Sequence, residues 1–385
     1  MRETFLPYNQ PDIGSDEVEA VSQAIQSRWI TRAGITTQFE AELSQYLDGM
    51  PVLALSSCTA GMHVALLASG IGPGDEVITT PYTFAASVNV ILHAGATPVL
   101  VDIEPDTGNI DPNRIEERIG PKTKALLPVH YAGHAVDLEA INTLRDRYGL
   151  TVIEDAAHAM ASGYQSKKIG THGNITAFSF YATKNLTTGE GGALVVPDPD
   201  VMEKVRMLSL HGMSRNAWNR YEDQGSWFYT IELPGFKYNM TDIQAAMGRV
   251  QLKKLEAMQN RRQEIAARLT AGLEGLPVIP PHVRPNVEHA WHIYPLRVQL
   301  DAIQGDRGDL IKDLKALNIG TSVHFIPIHL HPFYQRQLGY KPGDFPQAER
   351  FYEGEISLPL YPTMTDHDVD DVLEALSLAL SRRLR

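Results

Sequence analysis

Short runs of apolar residues recur along the first half of the chain, each bounded by polar or small residues. They fall at 76–80, 97–102, 125–129, 151–154, 177–181 and 193–196. Runs of this length between turn signals are typical of buried strands. Because segments with helical spacing separate several of them, the pattern predicts an α/β fold whose mostly parallel central sheet is doubly wound and flanked by helices.

The second half of the chain contains a longer periodic segment. Residues 241–273 carry apolar side chains at helical spacing, among them Ile243, Met247 and Val250, so a long helix is predicted there. It would join a large domain, 14–245, to a smaller α+β C-terminal domain, 246–385. Residues 1–13 contain two prolines and are expected to form an extended N-terminal arm.

Within the C-terminal domain we predict two strands, at 292–298 and 321–325, with a helix at 309–317 between them. A last helix is predicted after Thr365, whose side chain can form a capping box with Asp368. The C-terminal domain should therefore have a small apolar core of its own.

Charge and cysteine content narrow the possible classes of protein. The 34 basic and 46 acidic residues give a net charge of −12, which argues against nucleic acid or an anionic membrane as the main partner. The one cysteine, Cys58, leaves no intrachain disulfide.

No apolar run approaches the roughly 20 residues of a membrane span. The N-terminus carries acid and proline where a signal peptide needs an apolar stretch, so a cytoplasmic protein is expected.

The main candidate for chemistry is Lys184, which lies between two predicted strands. Lysines are usually solvated surface residues, but a glycine-rich turn, 189–192, follows this one and leaves room for a bulky group. A lysine held between apolar walls can lose its proton and attack a carbonyl to form a Schiff base. This interpretation requires a carbonyl cofactor and residues that hold it.

Two further segments could hold such a cofactor. Asp155 follows the predicted strand 151–154, at the end where open α/β sheets bind ligands. A buried carboxylate there would keep the ring nitrogen of pyridoxal phosphate protonated, although Asp155 could equally cap the next helix. The small and hydroxylated residues 56–59 open a helix whose free N–H groups would bind a phosphate. That turn could instead be an ordinary N-cap.

Together these segments resemble the pyridoxal-phosphate-dependent aminotransferases of fold type I, and among them the DegT/StrS-type sugar aminotransferases. The motifs that carry the resemblance lie in the family's order at 74–78, 128–133, 154–158, 177–192 and 235–239. Residues 56–63 are most similar to the UDP-4-amino-4-deoxy-L-arabinose–oxoglutarate aminotransferases, which aminate a 4-keto pentose in lipid A modification. The sequence differs from that branch at Phe84, Tyr181 and 187–188.

The resemblance implies a role for each site residue. Lys184 would bind pyridoxal phosphate and act as general base and acid, with pyridoxamine phosphate as the alternate form of the cofactor. Asp155 would hold the ring proton. The other implied cofactor contacts are Phe84 stacked on the ring, His158 beside it, Thr59, Ala60 and Ser179 at the phosphate, and Asn239 reaching that phosphate from a second subunit. A homodimer with shared active sites is therefore expected.

The same resemblance implies glutamate as amino donor, 2-oxoglutarate as its product, and a nucleotide-linked 4-keto sugar as acceptor, in cell-surface polysaccharide or lipid A sugar biosynthesis. Two segments are candidates for contact with the sugar nucleotide. One is the 210–230 loop and the other is 324–329; between them they contain His211, Arg215, Trp218, Arg220, His324 and His329. These arginines could equally be solvated loop charges, and the histidines could make ordinary hydrogen bonds.

Three alternatives remain open at this point. The chain could aminate C3 of the sugar. It could be a sugar 3-dehydratase on the same fold, although such enzymes carry histidine in place of Lys184. It could also be a regulator that binds the cofactor without turnover. The histidines lack the spacing of zinc ligands, so no metal site is expected.

Overall fold

The computed structural model describes residues 2–214 and 228–385, and a seven-stranded sheet lies at its centre. From one edge to the other the strands are β1 (Val52–Leu55), β9 (Gly192–Val195), β8 (Ile175–Ser179), β5 (Thr151–Asp155), β4 (Thr123–Leu126), β2 (Glu76–Thr79) and β3 (Thr97–Leu100). Strand β9 is antiparallel to both of its neighbours, and every other pair in this sheet is parallel. The predicted mostly parallel sheet is confirmed.

Helices cover both faces of the sheet because its strands are apolar on both sides. In β1, Leu53 and Leu55 enter one core, whereas Val52 and Ala54 enter the other. The first face is covered by α3 (Cys58–Ala68), α4 (Ala85–His93) and α6 (Pro199–Ser209). The second is covered by α2 (Gly34–Tyr46), α5 (Leu138–Tyr148) and the first half of α7 (Asp242–Gly272). Helix α1 (Ser15–Gln26) packs against α7.

Helix α7 corresponds to the long helix predicted at 241–273. It starts after Thr241, whose hydroxyl accepts a hydrogen bond from the Gln244 N–H at 3.3 Å, while the Gln244 side chain accepts from the Thr241 N–H. Leu255 belongs to the core under the sheet, whereas Leu269 belongs to a separate C-terminal core. The domain limits at residues 13 and 245 stay predictions.

The C-terminal region has a three-stranded antiparallel sheet of β10 (Val278–Ile279), β12 (Tyr294–Val298) and β13 (Glu355–Leu358). Its helices are α8 (Arg307–Ala316), α9 (Pro332–Leu338), α10 (Pro346–Gly354) and α11 (Asp366–Ser381). A third sheet contains β11 (Val287–Glu288), β6 (Gly163–Tyr164) and β7 (Lys167–Lys168). The predicted capping box at the start of α11 is present.

One strand prediction is wrong. Within 321–325 only Ser322 pairs with a strand, through an isolated bridge to Ser357. The backbone of His324 is hydrogen bonded to side chains instead, so a ladder cannot continue there.

The described residues contain neither a membrane-spanning helix nor a cluster of metal ligands. Among 2–214 and 228–385 there is no helix long and apolar enough to cross a membrane. Within the same ranges no three His, Cys, Asp or Glu side chains are grouped so that they could hold a metal ion.

Candidate active site

A cavity of about 580 Å³ opens where β5 and β8 end. Seven residues singled out from the sequence line it: Thr59, Phe84, Asp155, His158, Ser179, Lys184 and His324. They come from segments up to 265 positions apart in the chain, between the first and the last of them. The fold therefore brings these predicted residues around one space.

Lys184 lies in the turn after β8, where its N–H donates to the Tyr181 carbonyl oxygen at 2.9 Å. Loss of water around its amine lowers the pKa of Lys184 to about 8, and the nearby Asp155 carboxylate opposes this shift. At neutral pH a fraction of the amine is therefore unprotonated and able to act as a nucleophile. This is the chemical property expected of Lys184 from its sequence context.

A histidine that was not identified from the sequence, His292, contacts Lys184. The Nε2 atom of His292 lies 3.4 Å from Lys184 Nζ, and its Nδ1 atom lies 3.1 Å from Asn185 Oδ1. The Asn185 amide donates to the Ala290 carbonyl oxygen at 2.7 Å, so its oxygen is the atom that accepts from His292. Burial, and then the charge of Lys184, lower the pKa of His292 well below its usual value. A neutral His292 therefore presents a lone pair to the lysine. It stands two residues before β12, in a segment that the sequence pattern marked only as a strand.

Asp155 is the last residue of β5 and is fixed by donors on both oxygens. The Ser87 hydroxyl, from α4, donates to Oδ2 at 2.6 Å, and the Ala157 N–H donates to Oδ1 at 3.1 Å. The segment that follows is a turn instead of an α-helix, so Asp155 does not cap a helix. A buried carboxylate at this point is suited to hold a proton on a ligand.

The N-terminus of α3 forms another part of the wall. The Ser57 hydroxyl caps the helix by accepting from the Ala60 N–H at 3.0 Å, and Ser57, Cys58 and Thr59 line the cavity. Gly192 approaches this turn so closely that a Cβ there would lie 2.4 Å from the Cys58 nitrogen. The turn is an N-cap, as one interpretation held, and it also points a helix N-terminus at the cavity, where an anion is favoured.

Aromatic rings form the opposite wall. Phe84 is 63% exposed, so it is not a core residue, and its ring lies 6.0 Å from that of Phe325. The His158 ring stacks on Phe325 at 5.8 Å and lies 4.3 Å from the His292 ring. Burial, then Lys184 and His324, lower the pKa of His158 well below its usual value. This wall is uncharged and aromatic, so it can cover an aromatic ring.

Ala60 and Asn239, two described residues predicted to contact the phosphate, do not line the cavity. Ala60 is the third residue of α3, within its first turn. The Asn239 amide nitrogen donates to the Met240 carbonyl oxygen at 3.1 Å, while its buried Oδ1 has no partner among the described residues. Its assigned contact with a second subunit stays a prediction.

The substrate candidates are divided in the same way. His324 lines the cavity. His329 is fully buried, with Nε2 2.8 Å from a Glu349 carboxylate oxygen, which is ordinary hydrogen bonding inside the fold. His211 is exposed. Arg215, Trp218 and Arg220 lie outside the described residues, so their contacts stay predictions.

The donor set of the cavity fits pyridoxal phosphate. An amine of lowered pKa can bind an aldehyde, a fixed carboxylate can hold a ring proton, and a helix N-terminus can bind a phosphate. The aromatic wall can cover the ring. Each requirement is met by a different segment of the chain.

Comparisons with known proteins point the same way. The sequence model of the DegT/DnrJ/EryC1/StrS aminotransferase family matches residues 11–377. The spore coat polysaccharide biosynthesis protein SpsC of Bacillus subtilis is 50% identical over 377 residues, which is 97% of each chain.

Two solved structures are also similar. The putative sugar aminotransferase Spr1654 of Streptococcus pneumoniae, in its PMP form, has a TM-score of 0.92 at 34% identity and covers 98% of this chain and 99% of its own. Helicobacter pylori PseC, an aminotransferase involved in pseudoaminic acid biosynthesis, has a TM-score of 0.91 at 29% identity. That match covers 99% of this chain and all of the PseC chain.

Proposed function

The chain belongs to the DegT/DnrJ/EryC1/StrS aminotransferase family, and on that premise we propose that it transfers an amino group from glutamate to C4 of a nucleotide-linked 4-keto sugar. The product would serve the synthesis of a cell-surface polysaccharide. The observation that carries this proposal is that Lys184, with a pKa lowered to about 8, shares one cavity with Asp155 and with the N-terminus of α3.

The coarser part of this function is already established by the family and the solved neighbours. The protein is a sugar aminotransferase of fold type I that depends on pyridoxal phosphate, as predicted from the sequence. The sugar, its nucleotide, the position that is aminated and the pathway are our proposal. The name of SpsC, a spore coat polysaccharide protein, supports a polysaccharide pathway over lipid A modification.

Pyridoxal phosphate, when bound, supplies an aldehyde that carries the amino group and a ring that accepts electrons from the reacting carbon. Lys184 Nζ would bind the cofactor and, as general base, would take up the proton that the donor Cα releases. Asp155, held by Ser87 and Ala157, would keep the ring nitrogen protonated. Phe84 and Phe325 would cover the ring.

The first experiment tests whether glutamate is the amino donor. Purified enzyme mixed with glutamate should convert its cofactor to the pyridoxamine form and release 2-oxoglutarate. A regulator without turnover would leave the cofactor unchanged, and a dehydratase would not need Lys184. The same sample then receives a panel of 3-keto and 4-keto nucleotide sugars.

Amination of a 4-keto nucleotide sugar is the expected result, measured by mass spectrometry of the product. Amination of 3-keto sugars alone would overturn the C4 assignment. If only free keto acids were aminated, the nucleotide-sugar proposal itself would be wrong.

The proposal includes a symmetric homodimer. Its support is a set of four exposed apolar side chains on α1 and in the residues after it, namely Val18, Ile25, Trp29 and Ile30, since exposed apolar surface of this kind is typical of interaction sites. Sedimentation of the purified enzyme across a dilution series tests it. A monomer that keeps full activity would contradict the shared site expected from Asn239.

A further inference from the structure

The backbone of His324 is held by side chains from three distant segments. Its N–H donates to Glu355 Oε2 at 2.8 Å. Its carbonyl oxygen accepts from the Tyr82 hydroxyl at 2.7 Å and from the Tyr131 hydroxyl at 2.6 Å. Tyr82, Tyr131 and Glu355 do not line the cavity, so the location of the His324 ring is set by groups outside it.

The ring itself is connected to the same carboxyl group. His324 Nδ1 lies 2.8 Å from Ser357 Oγ, and that hydroxyl is hydrogen bonded to Glu355 Oε1. Glu355 and Ser357 are alternate residues of β13, and alternate residues of a strand point to the same side. Ile356 and Leu358, on the other side, belong to the C-terminal core.

We infer that Glu355 and Ser357 are positioning residues that form a hydrogen-bonded relay to His324. The relay decides whether Nδ1 or Nε2 of His324 carries the proton, and so whether Nε2 is a donor or an acceptor towards the substrate. The inference deepens the proposed function and rests on it only for the identity of that substrate. Neither Glu355 nor Ser357 lines the cavity, so both would act through the imidazole.

The relay has two directions, and the proton on Glu355 decides between them. When the carboxylate is ionised, Ser357 must donate to it, His324 Nδ1–H donates to Ser357, and Nε2 is an acceptor. When Glu355 is protonated, the proton sits on Oε1, because Oε2 already accepts from the His324 N–H. Ser357 then accepts from Glu355 and donates to Nδ1, and Nε2–H becomes a donor.

The pKa values of Glu355 and His324 make both directions of the relay accessible near neutral pH. Burial raises the pKa of Glu355 to about 8, although Ser357, the His324 N–H and Arg307 oppose the shift. Burial, and then the charge of Lys184, lower the pKa of His324 to about 4, so its ring stays neutral while Glu355 titrates. The relay therefore changes the position of a proton on His324 and leaves its charge unchanged.

The other groups that interact with the relay do not explain such a change. The titratable or charged groups near it are Tyr82, Tyr131, Arg307, His158, His292 and Lys184, together with Tyr8, which is hydrogen bonded to Ser357, and Arg297, which is paired with Glu355 on β12. Burial raises the pKa of the three tyrosines and lowers that of His158 and His292, so these groups stay neutral. Lys184, with a pKa of about 8, titrates in the same range and must be controlled.

The experiment is an NMR titration of the full-length holoenzyme with ¹⁵N-labelled histidine. Long-range ¹H–¹⁵N correlations distinguish a ring protonated at Nδ1 from one protonated at Nε2, and loss of the signals in His324→Gln assigns them. From about two pH units below to about two above the Glu355 value of about 8, the signals should change from Nε2–H to Nδ1–H. The Lys184→Met variant should show the same change.

Two variants test the relay itself. In Glu355→Gln the amide oxygen can accept from the His324 N–H and the amide nitrogen can donate to Ser357, so His324 should keep Nε2–H at every pH. Glu353→Gln, which removes an exposed carboxylate two residues away on α10, should titrate as the wild type does. The inference is overturned if wild-type His324 keeps one tautomer throughout, a result that needs no variant to fold, or if Glu355→Gln still switches.

Kinetics provide a second readout. Above about pH 8, where wild-type His324 carries its proton on Nδ1, Glu355→Gln should change kcat/KM for the sugar by about tenfold. Below that pH the variant and the wild type should agree, so the pH profile of the variant should be flat near pH 8, with little effect on the glutamate half-reaction. An equal loss in both half-reactions would indicate a general structural defect and contradict a role at His324. If no sugar in the panel is aminated, the proposed function fails while the tautomer measurement still decides the relay.

Discussion

The two walls of the cavity are built differently. On the sheet side, Asp155 ends β5 and Ser179 ends β8, with Lys184 in the turn that follows. On the other side, His324 is fixed by Tyr82 and Tyr131, which lie 242 and 193 positions away in the chain. One wall is produced by short local segments, and the other only by the complete fold.

The walls also differ in charge. The sheet side holds an amine and a carboxylate, whereas the other side consists of neutral histidines and aromatic rings. Charge is needed where protons move and bonds form, and shape and hydrogen bonding are needed where a ligand is recognised. We therefore expect the sheet side to perform the chemistry and the other side to select the substrate.

The largest effect is expected from Lys184→Ala. Removal of the amine eliminates both the attachment of the cofactor and the proton transfer, so kcat should fall by on the order of 10⁴-fold. The variant should also lack the visible absorbance of the lysine-bound cofactor while its thermal unfolding is unchanged. Lys204→Ala, at an exposed position on α6, is the control. Amination at a normal rate by Lys184→Ala would remove this lysine from the mechanism.

The next largest effect is expected from Asp155→Asn. A neutral amide cannot hold the ring proton, and several kcal/mol of transition-state stabilisation should be lost, which corresponds to roughly 10²- to 10³-fold in kcat/KM. The loss should appear in both half-reactions, because both need the electron sink. Asp146→Asn, at an exposed site, serves as control. A value within about threefold of the wild type, or roughly 0.7 kcal/mol, would show that the assigned role is wrong.

The titration of Lys184 gives a third prediction. Only the neutral amine attacks an aldehyde, and burial lowers the pKa of Lys184 to about 8. The rate at which the apoprotein takes up pyridoxal phosphate should therefore rise about tenfold per pH unit below pH 8 and level off above it. Stopped-flow absorbance measures this rate. A rise that continues towards pH 10.5, the ordinary lysine value, would mean that the amine is solvated.

The same contrast explains what could be predicted from the sequence. Lys184, Asp155 and the turn at 56–59 each lie in a contiguous motif next to a strand, so local pattern and family resemblance identified them. Strand β13 was not predicted. Its alternating Glu355 and Ser357 would suit a strand face in contact with solvent, yet both are fully buried.

The reason is physical. The segment 322–325 covers that face of β13 and supplies hydrogen-bonding partners for the carboxyl and hydroxyl groups, which makes their burial tolerable. No local pattern reveals such a partner. For the same reason His329 was expected at the substrate, whereas in the structure it is paired with Glu349 inside the fold.

The smallest effect is expected from the two tyrosines that hold His324. Tyr82→Phe or Tyr131→Phe alone removes one of two donors to the His324 carbonyl oxygen, and the free energy of unfolding should fall by about 0.5–1.5 kcal/mol. The double variant leaves that buried oxygen without a donor from either side chain, so its loss should exceed the sum of the single losses.

Because the sheet wall is untouched, kcat/KM for the sugar should fall by about tenfold in the double variant while the glutamate half-reaction stays within about twofold. Denaturant unfolding and the two half-reactions measure these quantities. Additive losses in stability, or equal losses in both half-reactions, would show that the two walls do not divide the work between chemistry and recognition.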